Sequence, residues 1–99
     1  MDESHTQYGY LLDLRKIGDP VQRREAIWSV LSIQGVQPQE GHVQLEALAT
    51  LSDQNVPHVV MVTFPGVNLV TLIKNTAIEL TFGRYNAERR YQELTKLVA

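Results

Sequence analysis

Cysteine is absent from this chain of 99 residues. Disulfides, thiolate zinc sites, iron–sulfur ligation and cysteine nucleophiles are excluded with it, and so are the stapled secreted miniproteins. The expected compartment is therefore a reducing one, the cytoplasm. A surplus of positive charge is also missing: nine Lys and Arg stand against eleven Asp and Glu, a formal charge of −2. That balance is opposite to the one that carries phosphate-backbone binding, so nucleic acid is not an expected partner. No uninterrupted apolar run approaches the roughly 20 residues of a membrane helix, because Pro57 to Ile73 is broken by His58, Pro65-Gly66 and Asn68. No membrane span is expected. Met1-Asp2-Glu3-Ser4-His5 places acids where a signal peptide needs positive charge, so no export signal is expected either.

What is present is apolar material, 43% of the residues, enough for one domain over residues 1–99 with a single core and a flexible lead at residues 1–6. No Lys or Arg occurs between Arg24 and Lys74, and that stretch holds few acids (Glu25, Glu40, Glu46, Asp53). An almost uncharged middle is expected to be a sheet with much of its surface buried.

From residue 8, Tyr8, Tyr10, Leu12 and Leu14 alternate with Gly9, Leu11, Asp13 and Arg15, which favours a strand. The rival is a helix from Thr6 to Ile17 closed by Gly18. Asp19-Pro20 starts a helix, since Asp can cap free amides and Pro at the first position gives up no hydrogen bond. Its expected inward stripe is Val21, Arg24, Ile27, Trp28 and Leu31, with Gly35 as a left-handed cap. Gln37 to Gly41 is read as a polar connection. Val43, Leu45, Ala47, Ala49 and Leu51 then alternate with polar neighbours as a strand, although Gln-Leu-Glu-Ala-Leu-Ala also has high helix propensity.

Ser52 to Asn55 is turn chemistry, and the β-branched run from His58 to Phe64 is a strand. Val67 to Asn75 leans to a short helix presenting Val67, Val70 and Ile73, with a strand as the alternative. Ile78, Leu80 and Phe82 alternate with Glu79, Thr81 and Gly83 as a closing strand. A last helix capped by Asn86 carries Ala87, Tyr91, Leu94 and Val98 down one side. The order β-α-β-β-α-β plus a C-terminal helix is that of an α+β, ferredoxin-like split βαβ sandwich, an antiparallel sheet with helices on one face. The alternative is an N-terminal helical hairpin followed by an antiparallel β-meander and a C-terminal helix. Whether the last helix covers this chain's own sheet or reaches a neighbour is left open by the pattern.

Chemistry-bearing motifs are sparse. His5, His42 and His58 have no metal-ligand spacing, and His42 and His58 are expected about 25 Å apart along neighbouring strands. No phosphate loop or nucleophile elbow occurs, and no cofactor is implied. Glu46 and Glu79 fall on solvent-side strand positions with nothing to make them converge. Arg23-Arg24 and Arg89-Arg90 could gather above a phosphate-bearing ligand if their helices lay side by side, but Glu25, Glu88 and Glu93 are adjacent, which points to local ion pairing. Tyr8 and Tyr10 on a first strand are the position of base-stacking platforms in RNA binders, yet the strand from Val59 to Phe64 lacks the paired aromatics such a platform needs.

The distinctive feature is apolar character on both sides of that strand. With helices on one face, Leu11, Leu48, Val60, Val62 and Phe64 are expected to leave a patch of roughly 300 Å² open, a size at which patches tend to be binding sites. Burying it offers about 7 kcal/mol before association costs. The expected function is a non-enzymatic interaction or assembly module that self-associates as a dimer through this sheet face, or that meets another protein there. Two other readings stand beside it: a cofactor-free enzyme or small-molecule binder in which two sheets face each other around a pocket lined by Tyr10, Val60 and Met61 with His58 or Glu79 as its polar group, and a phosphate or RNA binder using Arg23, Arg24, Arg89 and Arg90.

Overall fold

The computed structural model describes residues 7–66 and 68–98. The expected flexible lead at residues 1–6 with its His5, the expected helix-face residue Val67 and the side chain of Val98 lie outside the described residues. The molecule is a small α+β domain. Its elements are β1 (Gln7–Asp13), α1 (Pro20–Leu31), β2 (Gln37–Pro38), α2 (Leu45–Leu48), a 3₁₀ turn (Asp53–Asn55), β3 (Val59–Pro65), α3 (Leu69–Leu72), β4 (Glu79–Phe82) and α4 (Arg84–Val98). The four strands form one antiparallel sheet in the order β2-β3-β1-β4. β1 is thus a central strand, which removes both the rival N-terminal helix and the helical-hairpin arrangement.

Alternation in β1 sorts its side chains to two separate cores. Tyr10, Leu12 and Leu14 join Val60 and Val62 of β3 beneath Ile27 and Val30 of α1. Leu11 points the other way and joins Val59 and Met61 against Ala87, Tyr91 and Leu94 of α4. Helices therefore cover both faces of the sheet, and the second face is closed in cis by the last helix. A single glycine sets the path of that helix: Gly83, at φ +100°, turns the chain from β4 straight into α4. Gly9 permits the close approach, because a Cβ there would stand 3.1 Å from Arg84 Cα. α4 begins at Arg84 rather than at an Asn86 cap, with the Ala87 amide donating to the Gly83 carbonyl at 2.7 Å.

Three segments depart from the sequence reading. The strand expected over 43–51 is absent. Its Leu-Glu-Ala-Leu core makes one turn of helix that buries Leu48 under α1, so local propensity outweighs a coincidental alternation. The strand beside β3 is instead Gln37–Pro38, taken for a connection, because Gly35 at φ +91° sends the chain back along β3. α1 runs from Pro20 as expected but ends at Leu31 before Gly35, and it is rolled: Arg23, Ala26, Ile27, Val30 and Leu31 face inward, while Val21 and Trp28 are about half exposed. The cause is Arg23, whose guanidinium donates to the carbonyls of Ile17 (2.9 Å), Gly18 (3.3 Å) and Val56 (3.3 Å). Three main-chain acceptors need a donor there, and the three- and four-residue spacing of Val21, Arg24, Ile27, Trp28 and Leu31 does not reveal them. In α3, Leu69 is buried and Val70, expected to face the core, is 58% exposed.

Val60 is 1% exposed and belongs to the core rather than to a free face. Val60→Asp is therefore expected to unfold the chain, at a cost of roughly 4 kcal/mol or more, because the carboxylate would have no partner. Circular dichroism in a urea titration checks this; a well-folded variant with unchanged midpoint would contradict it.

Candidate interaction surface

The residues singled out from sequence do not form one surface. Leu11, Leu48, Val60 and Val62 are all at or below 1% exposure, and Phe64 is half-buried. Leu11 lies beneath α4, and the other four belong to or pack against the α1 core on the opposite side of the sheet. The open sheet face expected from helices on one side is thus filled by the chain itself.

The pocket reading meets the same geometry. Tyr10 is 1% exposed, its hydroxyl accepting from the Leu69 amide at 3.4 Å and its ring 5.2 Å from Phe82. His58 stands at the entrance of β3, its carbonyl accepting from the Leu14 amide, with burial first and then the charge of Arg23 lowering its pKa. Glu79 forms an exposed ion pair with Lys16 at the far edge. These three groups do not converge. Among the described residues no three His, Cys, Asp or Glu side chains are grouped to hold a metal ion.

The arginine doublets are separated by the sheet. Arg23 is buried, and Arg24 donates to the Leu51 carbonyl at 2.8 Å and to Asp53 at 3.1 Å, so the pair fastens α1 to the segment ahead of β3. Arg89 and Arg90 share Glu93 on α4. Four guanidinium groups over one ligand is a geometry this fold does not make. Asp13 shows the opposite economy: burial pushes its carboxyl up, but hydrogen bonds and charge from Arg15, with help from Arg90, hold it below the usual carboxylate range.

What remains open is the side of the molecule where β3 returns to β4. α3 has one turn only, and after it the chain runs without helix or strand to β4. A helix of ordinary length there would have covered α1 and the outer part of the sheet; a single turn leaves a groove of about 390 Å³ floored by Ala26, Val30, Ile33, Leu72, Ile73 and Ile78. A second hollow of about 290 Å³, shared along Ile73 to Asn75, continues past Val70 and Leu80 to β4. Val70, lining this second hollow, is 58% exposed, Leu72, lining the first, 47%, and Phe82 on β4 47%. Trp28, 49% exposed, sits at a separate hollow with Leu48 and Ala49 on the other flank of α1.

The two sheet edges differ. β2 is two residues long and contains Pro38, which blunts it. β4 carries neither Lys nor Pro, and among the described residues no strand pairs with its outer edge. The Gly83 amide donates to Gly9, so the bonded pairs with β1 are 9/83, 11/81 and 13/79, and the main-chain groups of Leu80 and Phe82 point outward. The alternation of Ile78, Leu80 and Phe82 places a strand here, but its edge position depends on its neighbours and carries no signal in the sequence.

His42, in the loop after β2, packs on α4, its ring 5.0 Å from Tyr91, and burial lowers its pKa from 6.5. A histidine depressed in the folded state binds protons more readily when unfolded, so its contribution is complete above that value and lost as pH falls below it. The thermal midpoint is expected to drop between pH 7.5 and 5.5, and His42→Phe, which keeps the ring contact, should flatten that slope; an identical slope in the variant would contradict the assignment.

No family model, curated protein or solved structure matches this chain.

Proposed function

We propose that this protein is a non-enzymatic, self-associating interaction module built on a ferredoxin-like split βαβ sandwich. The strand order β2-β3-β1-β4, with β1 and β3 central and every pair antiparallel, supports that fold. The observation that carries the function is the apolar strip along α3 and β4, where Val70, Leu72 and Phe82 stand exposed beside an unpaired strand edge. Scattered surface apolar residues are ordinary, but a run of them beside open main-chain donors and acceptors is a surface that a second polypeptide satisfies. Self-association through a sheet face has no support, since α1 and α4 fill both faces; the contact moves to the side of the sheet. Nothing converges to favour the enzyme reading over this one.

Sedimentation velocity from tens of micromolar to about 1 mM tests it, the range proper to an interface near or below ~1,000 Å². Reversible association is expected, weakened several-fold by Val70→Lys and unchanged by Val21→Lys, a substitution at another exposed site, on α1. A strictly monomeric protein, or equal sensitivity to both substitutions, contradicts the proposal.

A further inference from the structure

We propose that the groove between α1 and the crossover binds a small aliphatic carboxylate, a free medium-chain fatty acid anion, with its head at Lys74 and Asn75 and its tail over the apolar floor. The site belongs to one copy of the chain, goes beyond the self-association reading and stands without it. Its floor is apolar along its length, with Ala26, Val30 and Ile33 of α1 facing Leu72, Ile73 and Ile78 of the crossover. From Ala26 to Ile33 is about 10 Å at a rise of 1.5 Å per residue, room for a tail of medium length. The volume of about 390 Å³ falls in the range of roughly 300–1,000 Å³ that small-molecule sites occupy.

The polar end of the groove is made only of donors. Asn75 spends its acceptors on the main chain: its Oδ1 accepts from the Ala77 amide at 2.9 Å and its carbonyl from the Ile78 amide at 3.2 Å. Because an amide N–H must meet an oxygen, this bond also settles which end of the side chain is which, and Nδ2 is left to donate. Lys74 beside it makes no ion pair or side-chain hydrogen bond among the described residues. Among those residues no Asp or Glu lines either of the two hollows that meet here. Glu79, the acid nearest to Lys74 in the sequence, is held by Lys16.

A cation and an amide donor beside an apolar floor, with no acid to match them, call for an anionic head with two acceptor oxygens on an apolar tail. A cationic amphiphile would set its charge against Lys74. An extended peptide would lay its main-chain amides on Val30, Ile33 and Leu72, side chains that neither donate nor accept, whereas an aliphatic chain brings no polar group there to satisfy.

Titration of isotope-labelled protein with octanoate, followed by NMR, tests the site. Saturable shifts are expected at the methyl groups of Val30, Ile33, Ile73 and Ile78, with a Kd on the order of 1 mM. The indole N–H of Trp28, which lines a separate hollow, should not move. Octylammonium should bind about fivefold or more weakly than octanoate. Lys74→Met, which keeps the apolar stem, should lower octanoate affinity about fivefold and leave octanol binding unchanged. Asn75→Asp keeps an acceptor for the Ala77 amide but sets a like charge beside the head, and should also weaken octanoate. Equal binding of octanoate and octylammonium, shifts shared alike by Trp28 and the groove, unaltered octanoate affinity in Lys74→Met, or no binding at all overturns the site. Each of these results leaves self-association to be judged by sedimentation alone.

Discussion

A strand that is apolar on both sides must be covered twice, and the rest of this structure follows from that requirement. Val59 and Met61 face one way along β3 and Val60 and Val62 the other, each at 7% exposure or less. Each face, left in water, would cost roughly 25 cal/mol for every Å² of its apolar area. The chain meets the requirement internally, with α1, α2 and α3 on one side and α4 on the other. A chain this short has little interior to spare, and dividing it into two cores leaves the second one thin, resting on Leu11, Val59, Met61, Ala87 and Leu94.

That division has a consequence at the side of the sheet. Chain length spent on α4 is matched by a crossover before β4 that contains a single helical turn, and the space of a longer helix becomes a groove. Val70 and Leu72 are left exposed there and Phe82 along β4, while Val21 and Trp28 stand exposed on α1 and Tyr85 on α4. The two edges of the sheet are accordingly unlike: one is blunted by Pro38, and the other offers the main chain of Leu80 and Phe82. Buried Arg23 and half-buried His42 serve the same architecture, the first joining α1 to the segment before β3 and the second pinning the loop after β2 to α4.

Much of the fold was legible in the sequence. The alternation of Tyr8 to Arg15, the Asp19-Pro20 start, the β-branched run to Phe64 and the Ala87, Tyr91, Leu94 stripe each correspond to an element in place. The apolar character of both faces of β3 was legible as well, but not its covering, because a stripe on a terminal helix does not say which surface it meets. Val43 to Leu51 misled because period-two spacing and helix propensity coincide in Leu-Glu-Ala-Leu, and tertiary burial of Leu48 decides between them. Arg23 misled for a different reason: its burial depends on carbonyls of Ile17, Gly18 and Val56, one of which is 33 residues away. The exposed surface was the least legible part, since an edge strand and a central strand carry the same pattern and differ only in their neighbours.

The covering of the second face by the chain's own α4 is the point on which the account turns. Nuclear Overhauser contacts in a sample mixing isotope-labelled and unlabelled protein read it directly. The Leu94 and Ala87 methyl groups should show contacts to Leu11 and Met61 within one chain and none between chains. Contacts found only between chains, or none at all, would contradict it.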